Sequence, residues 1–171
     1  MAPSDRMELM QETYVRNSIF GIVDSLVSTV GLLSGLGASG ASAKVLVATG
    51  VIYAFVEAFS MAVGSFLSER ATEEYVAQAA VKQSTPLVGG VIMFVSFVIA
   101  SFVPIVPYLF FVEPLSLIIS VTASLALLLI VGGVIASISK IHVLKHALST
   151  ALLGGAAIII GVVIGRIIPG G

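Results

Sequence analysis

The fold of this chain is decided first by residues 18–36, which read SIFGIVDSLVSTVGLLSGL. A helix needs about 20 predominantly apolar residues to cross the hydrocarbon core of a bilayer, and this run supplies them. Asp24 nevertheless lies near its middle, and a second apolar run carries Glu57 in the same way. A charged side chain at the bilayer centre costs roughly 2.5–3.5 kcal/mol on insertion scales, so such residues normally face a bundle interior or a polar path. We therefore interpret both acids as functional.

The composition of the whole chain indicates an integral membrane protein. Hydrophobic residues make up 58% of the sequence, charged residues only 10%, and the mean hydropathy is +1.15, which leaves too little polar surface for a soluble globular domain. The apolar stretches are continuous runs of about 20 residues, which favours helices over a β-barrel. A net charge of -1 argues against nucleic-acid binding. The absence of cysteine excludes thiolate metal sites.

We predict an all-α protein in which residues 1–171 form a single membrane domain with five spans. The spans are placed at residues 18–36, 45–67, 87–109, 115–137 and 147–168. Residues 1–16 are predicted to form an amphipathic helix at the membrane surface, and residues 68–85 a short cytosolic helical extension.

The basic residues predict the orientation of these spans. With the N-terminus in the cytosol, six of the eight Lys and Arg residues fall on the cytosolic side, so we expect an N-in, C-out topology. Five spans without internal duplication cannot form an inverted repeat within one chain, and a symmetric pathway would require a two-fold homodimer.

The first two spans each carry a polar stripe at helical spacing. The stripe on the first span comprises Asn17, Gly21, Asp24, Ser28, Gly31 and Gly35, and the stripe on the second comprises Tyr53, Glu57, Met61, Gly64 and Ser68, with Ser60 beside it. Close helix packing explains the glycines but gives no reason for an ionisable Asp24. We predict that Asn17, Ser28 and Ser60 line a polar pathway.

Asp24, Glu57 and Met61 are the candidate metal ligands. Two carboxylates and a thioether suit a first-row divalent ion such as Fe²⁺ better than Mg²⁺ or Ca²⁺, which prefer oxygen ligands only. Three side chains are too few for an octahedral site, whereas two copies of the chain would supply six. Metal binding must displace the protons of its ligands, which suggests exchange of metal for protons.

Three further acids, Glu69, Glu73 and Glu74, follow the second span. They could attract cations at a cytosolic mouth of the pathway. A solvated helix end explains them equally well.

Two motifs, RNSIFGIVDSLVST at residues 16–29 and AFSMAVG at residues 58–64, resemble the first- and second-helix signatures of the vacuolar iron transporter family, and PIVPY at residues 104–108 resembles the end of its third helix. The resemblance implies a five-span dimer that moves ferrous iron, and sometimes manganese, out of the cytosol in exchange for protons. It also implies metal-pathway roles for Asp24 and Met61. The sequence departs from the family pattern in two ways: Tyr53 stands where the family has its second-helix glutamate, the acid being Glu57 instead, and only residues 68–85 stand in place of a Glu-rich cytosolic domain.

Two other functions stay open at this point. A non-transporting metal sensor or structural dimer could share the fold, and two membrane carboxylates could in principle serve an intramembrane hydrolase, although no substrate-positioning motif accompanies them. The expected partners are a second copy of the chain, membrane lipid, a divalent metal ion and protons, with no resident cofactor. The expected location is the cell membrane of a prokaryote or a vacuolar-type membrane of a eukaryote.

Overall fold

The computed structural model describes residues 3–78 and 84–168, and the side chains of all of these except residues 3–10 and 84. The described residues form six helices and no strand. The helices are α1 (Pro3–Ala38), α2 (Ala43–Ala77), α3 (Ser84–Ile105), α4 (Pro107–Phe110), α5 (Leu115–Ile138) and α6 (Val143–Ile167).

Five helical segments are long and apolar enough to cross a membrane, which confirms the prediction of an all-α protein with five spans. Within the described residues these segments are Gln11–Ala38, Ala43–Ala77, Thr85–Phe110, Leu115–Ile138 and Val143–Ile167. The third segment includes both α3 and the short α4. Pro104 lies inside α3 and Pro107 begins α4, and a proline removes a helical N–H donor, so the helix is interrupted at this point.

The first two helices are longer than the predicted spans at residues 18–36 and 45–67. Helix α1 runs without a break from Pro3 to Ala38, so the predicted interfacial segment and the first span form one helix. Its position relative to a membrane surface stays a prediction. Helix α2 continues to Ala77, where Gln78 adopts a left-handed conformation with φ of 52°. Residues 1–2 and 79–83, which belong to the predicted segments 1–16 and 68–85, lie outside the described residues.

Helix α1 is the centre of the bundle. It packs mainly against α3 and α6, while α2 packs mainly against α3, and α5 against α6. Leu26, Val30 and Leu33 of α1 are completely buried. The polar side chains of α1 between Asp24 and Ser34 are accordingly buried or half-buried.

Glycines allow α1 and α6 to touch through their backbones. Gly31 and Gly35 of α1 face Gly161 and Gly165 of α6, and a Cβ atom added to Gly35 would lie only 2.8 Å from the carbonyl oxygen of Gly161. Small residues at membrane helix interfaces permit this approach and so increase dispersion contacts between the helices.

Buried serines join α1 to α3 and α3 to α5. The Ser25 hydroxyl donates a hydrogen bond of 2.8 Å to the Phe97 carbonyl and lies 2.7 Å from the Ser101 hydroxyl. Ser120 of α5 donates a 2.8 Å bond to the carbonyl of Pro104. A polar group in a membrane needs a partner within the protein, and these contacts provide one for each of the two serines.

We predict that Gly161→Ala destabilises the protein by about 1–3 kcal/mol, because the new methyl group would overlap the backbone of Gly31 and force α1 and α6 apart. Thermal unfolding in detergent measures the effect. Gly155→Ala on the same helix is the matched control, since an added Cβ there meets nothing within 4 Å. Equal melting temperatures for the two variants would contradict the backbone contact.

Candidate functional site

The two membrane carboxylates approach each other from neighbouring helices. Asp24 lies near the middle of the α1 span and Glu57 near the middle of α2; both side chains are half-buried. Asp24 lies within electrostatic range of Glu57. Two like charges at this depth are costly unless a cation or protons accompany them, which makes the pair a candidate cation site.

Tyr53 and Ser28 extend this polar group. The Tyr53 phenol lies beside the Ser28 hydroxyl and within electrostatic range of both carboxylates. Its ring packs against Phe97 of α3 at a centroid distance of 6.5 Å. Sequence reasoning noted Tyr53 on the stripe of α2 but did not include it among the site residues. Its position four residues before Glu57 was the available signal, because residues four apart share a helix face.

A cleft opens between α1, α2 and α3, toward the end of the bundle where α1 begins. Its volume is about 570 Å³, and it is lined by Arg16, Asn17, Phe20, Ser60, Met61, Gly64, Ser65, Ser68 and Met93. Three residues of the predicted site, Asn17, Ser60 and Met61, therefore share one cleft. Met61 lies one helical turn beyond Glu57, so the cleft begins next to the carboxylate pair.

One copy of the chain does not hold a complete cluster of charged or imidazole ligands. Within residues 3–78 and 84–168, no group of three or more His, Asp or Glu side chains is arranged to hold a metal ion. Asp24, Glu57 and the Met61 thioether are what one chain offers in this region. Their assignment as metal ligands stays a prediction.

The three acids after the second span have different surroundings. Glu69 is only 8% exposed, so the alternative of a solvated helix end is wrong for this residue. The Asn17 amide and the Ser65 hydroxyl donate hydrogen bonds to it, of 2.5 and 2.8 Å, and draw its carboxylate inward. Glu74 pairs with Arg70 at 2.9 Å across one turn of α2, and Glu73 is half-buried.

Sequence reasoning missed the contact between α1 and α2 that Glu69 makes. Arg16 served only as a basic residue in the orientation argument, yet its guanidinium lies 3.4 Å from the same Glu69 oxygen. The signals in the sequence were Asn17 at the start of an apolar run and Ser65 four residues before Glu69. Neither signal identifies the partner helix, which only the packing decides.

Comparison with known families now identifies the chain. A model of the VIT family matches residues 15–85 and 73–166, which together cover most of the sequence. The chain belongs to the VIT family. None of the curated proteins matches it. The matched residues include Asp24, Glu57, the residues that line the cleft, and the glycines through which α1 and α6 touch.

Membership confirms the resemblance to vacuolar iron transporters and indicates membrane transport of metal ions as the general class of activity. The VIT family consists of membrane transporters of metal ions rather than enzymes, and five apolar helices make this member an integral multi-pass membrane protein. The two carboxylates of α1 and α2 are therefore better explained by cation handling than by the hydrolase chemistry that the sequence left open.

We predict that Asp24→Asn and Glu57→Gln each stabilise the metal-free protein at neutral pH, by about 0.5–2 kcal/mol, because functional sites commonly keep charges that oppose folding. Each change replaces a mid-span carboxyl group, which needs a proton to balance its charge when no metal is bound, by a neutral amide. Thermal unfolding in detergent with a metal chelator measures the effect. Glu113→Gln is the control, because Glu113 is exposed outside the helices. A loss of stability in both site variants would show that the carboxylates support the fold instead.

Proposed function

We propose that this VIT family member exports a divalent transition metal, Fe²⁺ and in some cases Mn²⁺, from the cytosol in exchange for protons. The observation that carries the proposal is the pair formed by Asp24 of α1 and Glu57 of α2, which lie within electrostatic range of each other near mid-span. Asp24, Glu57 and Met61 bind the ion, and Asn17, Ser28 and Ser60 line its route. Glu69, Glu73 and Glu74 lie at the cytosolic mouth in the N-in orientation.

Proton exchange follows from the cost of charge in the membrane. A carboxylate at mid-span needs a compensating positive charge, and either a proton or a metal ion supplies it. Metal ions bind the deprotonated form of their ligands, so binding releases protons. Alternating occupancy of the same two acids by protons and by metal then couples the two fluxes in opposite directions.

The choice of metal rests on the mixed ligand set. Carboxylate oxygens are hard ligands, whereas the Met61 thioether is soft, and this combination favours first-row transition metals over Mg²⁺ and Ca²⁺. Affinities of such ligands follow a general order across the row. The route therefore selects a class of ion, and availability in the cytosol decides which member of the class is carried.

A homodimer completes the site in this proposal. One copy offers three ligands, and a two-fold axis beside α2 would bring six together. The open side of the cleft supports this arrangement: Ser60, Gly64 and Ser68 line the cleft and are exposed, and Gly64 has no atom near the position of its missing Cβ. Small and polar residues on a membrane helix surface suit close contact with another helix.

We expect purified protein in proteoliposomes to carry Fe²⁺ or Mn²⁺ into an acidic lumen, and Asp24→Asn and Met61→Leu to reduce this flux at least about tenfold. Mutation of residues that merely support metal ligands already costs about 10–100-fold. Met61→Leu keeps the volume of the side chain and removes only the sulfur. A metal-sensitive dye in the lumen measures the flux, with Glu113→Gln as the control.

Three results would decide between transport and its alternatives. Flux that depends on the pH gradient supports exchange with protons, and flux that ignores the gradient contradicts it. Metal binding without flux in the parent protein would support the sensor instead. The short stretch between α2 and α3, which replaces a larger cytosolic domain in the family pattern, is the feature that would then account for the lost transport.

We expect Gly64→Cys to form a disulfide-linked dimer on mild oxidation in membranes, because the proposed axis lies beside this face of α2. The natural chain has no cysteine, so the new thiol can react only with its copy in another chain. Leu152→Cys on α6, where Leu152 is 65% exposed, is the control. Non-reducing gel electrophoresis measures both, and equal cross-linking at the two positions would contradict a specific dimer through α2.

A further inference from the structure

Glu69 is more deeply buried than any other acid whose side chain the structure describes, and it lies on the helix that lines the cleft. Its side chain is 7% exposed. One carboxylate oxygen, Oε1, receives all the contacts: Asn17 and Ser65 donate to it, and Arg16 lies 3.4 Å away. The other oxygen, Oε2, is buried without a hydrogen-bond partner. A buried charge is retained only where surrounding groups compensate it, so this arrangement calls for a role.

The carboxylate links three helices at one level. Asn17 belongs to α1 and Ser65 to α2, and the Asn17 amide also donates a 3.0 Å bond to the Ser65 hydroxyl. On the side of α3, Oε2 lies against Gly89, where an added Cβ would overlap it and would also come within 2.8 Å of the Asn17 amide nitrogen. The absence of a side chain at Gly89 therefore makes room for the Glu69 carboxylate.

This linkage is important because α1 and α2 otherwise meet little. Each of them packs chiefly against α3, which leaves the cleft between them. Asn17 and Ser65 both line that cleft and both hold Glu69. The separation of α1 and α2 at this end of the cleft thus depends on a small polar cluster around Glu69 instead of an extensive apolar interface.

We propose that Glu69 is a positioning residue that acts as a gate: its contact with Asn17 ties α1 to α2 beside the cleft and limits the width of the cleft below Met61. We call this narrow state closed, and the contact parts when the cleft opens further. Arg16 is the counter-charge of the closed state. Its side chain is 66% exposed, so its guanidinium can leave Glu69 and be hydrated at a small cost in free energy. The inference rests on the proposed function only for the nature of the ion that uses the cleft.

A single-cysteine reporter tests the gate. Met61→Cys places the one thiol of the chain in the cleft, and a membrane-impermeant maleimide measures how often the cleft is open. Glu69→Leu removes the carboxylate that makes the polar contact. Gly89→Ala adds a methyl group that displaces this carboxylate without substituting Glu69 or Asn17. We expect both changes to raise the labelling rate about tenfold from the side where α1 begins, as a tenfold rise in the open fraction would.

Two matched controls accompany these variants. Glu113→Leu removes an exposed acid, and Gly155→Ala adds a methyl group where nothing lies within 4 Å; neither should change the rate. Labelling from the opposite side should also stay constant, because a gate acts at one end, whereas general loosening of the bundle would raise the rate from both sides and overturn the proposal.

The readout separates this inference from the transport proposal. Labelling needs neither metal nor a proton gradient, and the labelling rate is measured on the folded fraction. If Glu69 only stabilised the fold, its replacement would lower the melting temperature without changing the labelling rate. Unchanged labelling in both gate variants, in a parent that carries metal, refutes the gate alone. One-sided acceleration in a parent that carries no metal keeps the gate and refutes the transport proposal.

Discussion

The close approach of α1 to its neighbours is the constraint on which the rest of the structure depends. Backbone contact between the glycines of α1 and α6, together with the packing of α3 on the other side, encloses α1 within the bundle. In a membrane, helices gain little from excluding apolar surface, because lipid is equally apolar, so dispersion contacts and hydrogen bonds at short distance have to hold them together. Glycine at these positions allows the two backbones to approach to that short distance. Asp24 lies on this helix and is half-buried.

The polar groups of the bundle fall into two kinds with different partners. Ser25 and Ser120 donate to backbone carbonyls of α3 and fasten helices together. Asp24 and Glu57 instead lie within electrostatic range of each other, and no basic group is among the contacts described for them. The first kind is satisfied within one chain. The second kind is the basis of our proposal that these two acids bind a cation.

The surroundings of the acids change along α2. Glu57 at mid-span has another carboxylate nearby, Glu69 further along is held by Asn17 and Ser65, and Glu74 pairs with Arg70 near the helix end. The Glu69 carboxylate therefore links helices and the Glu74 carboxylate forms an ion pair, whereas the Glu57 carboxylate is the one that we propose to bind a cation. The partners differ because Glu57 and Glu69 meet residues of other helices, whereas Glu74 pairs within its own helix.

Much of this protein is determined by the sequence alone. Long apolar runs predict five membrane-spanning helices, because a backbone in lipid must satisfy its own hydrogen bonds, and the acids at mid-run indicate a site because their presence there is costly. The first- and second-helix motifs predict the family. Tertiary structure decided what spacing could not: that Tyr53 joins Asp24 and Glu57, that Gly31 and Gly35 meet α6, and that Glu69 is buried against α1 and α3. Periodicity assigns a residue to a face of its own helix, but the partner of that face depends on how separate helices pack, which a local pattern does not encode.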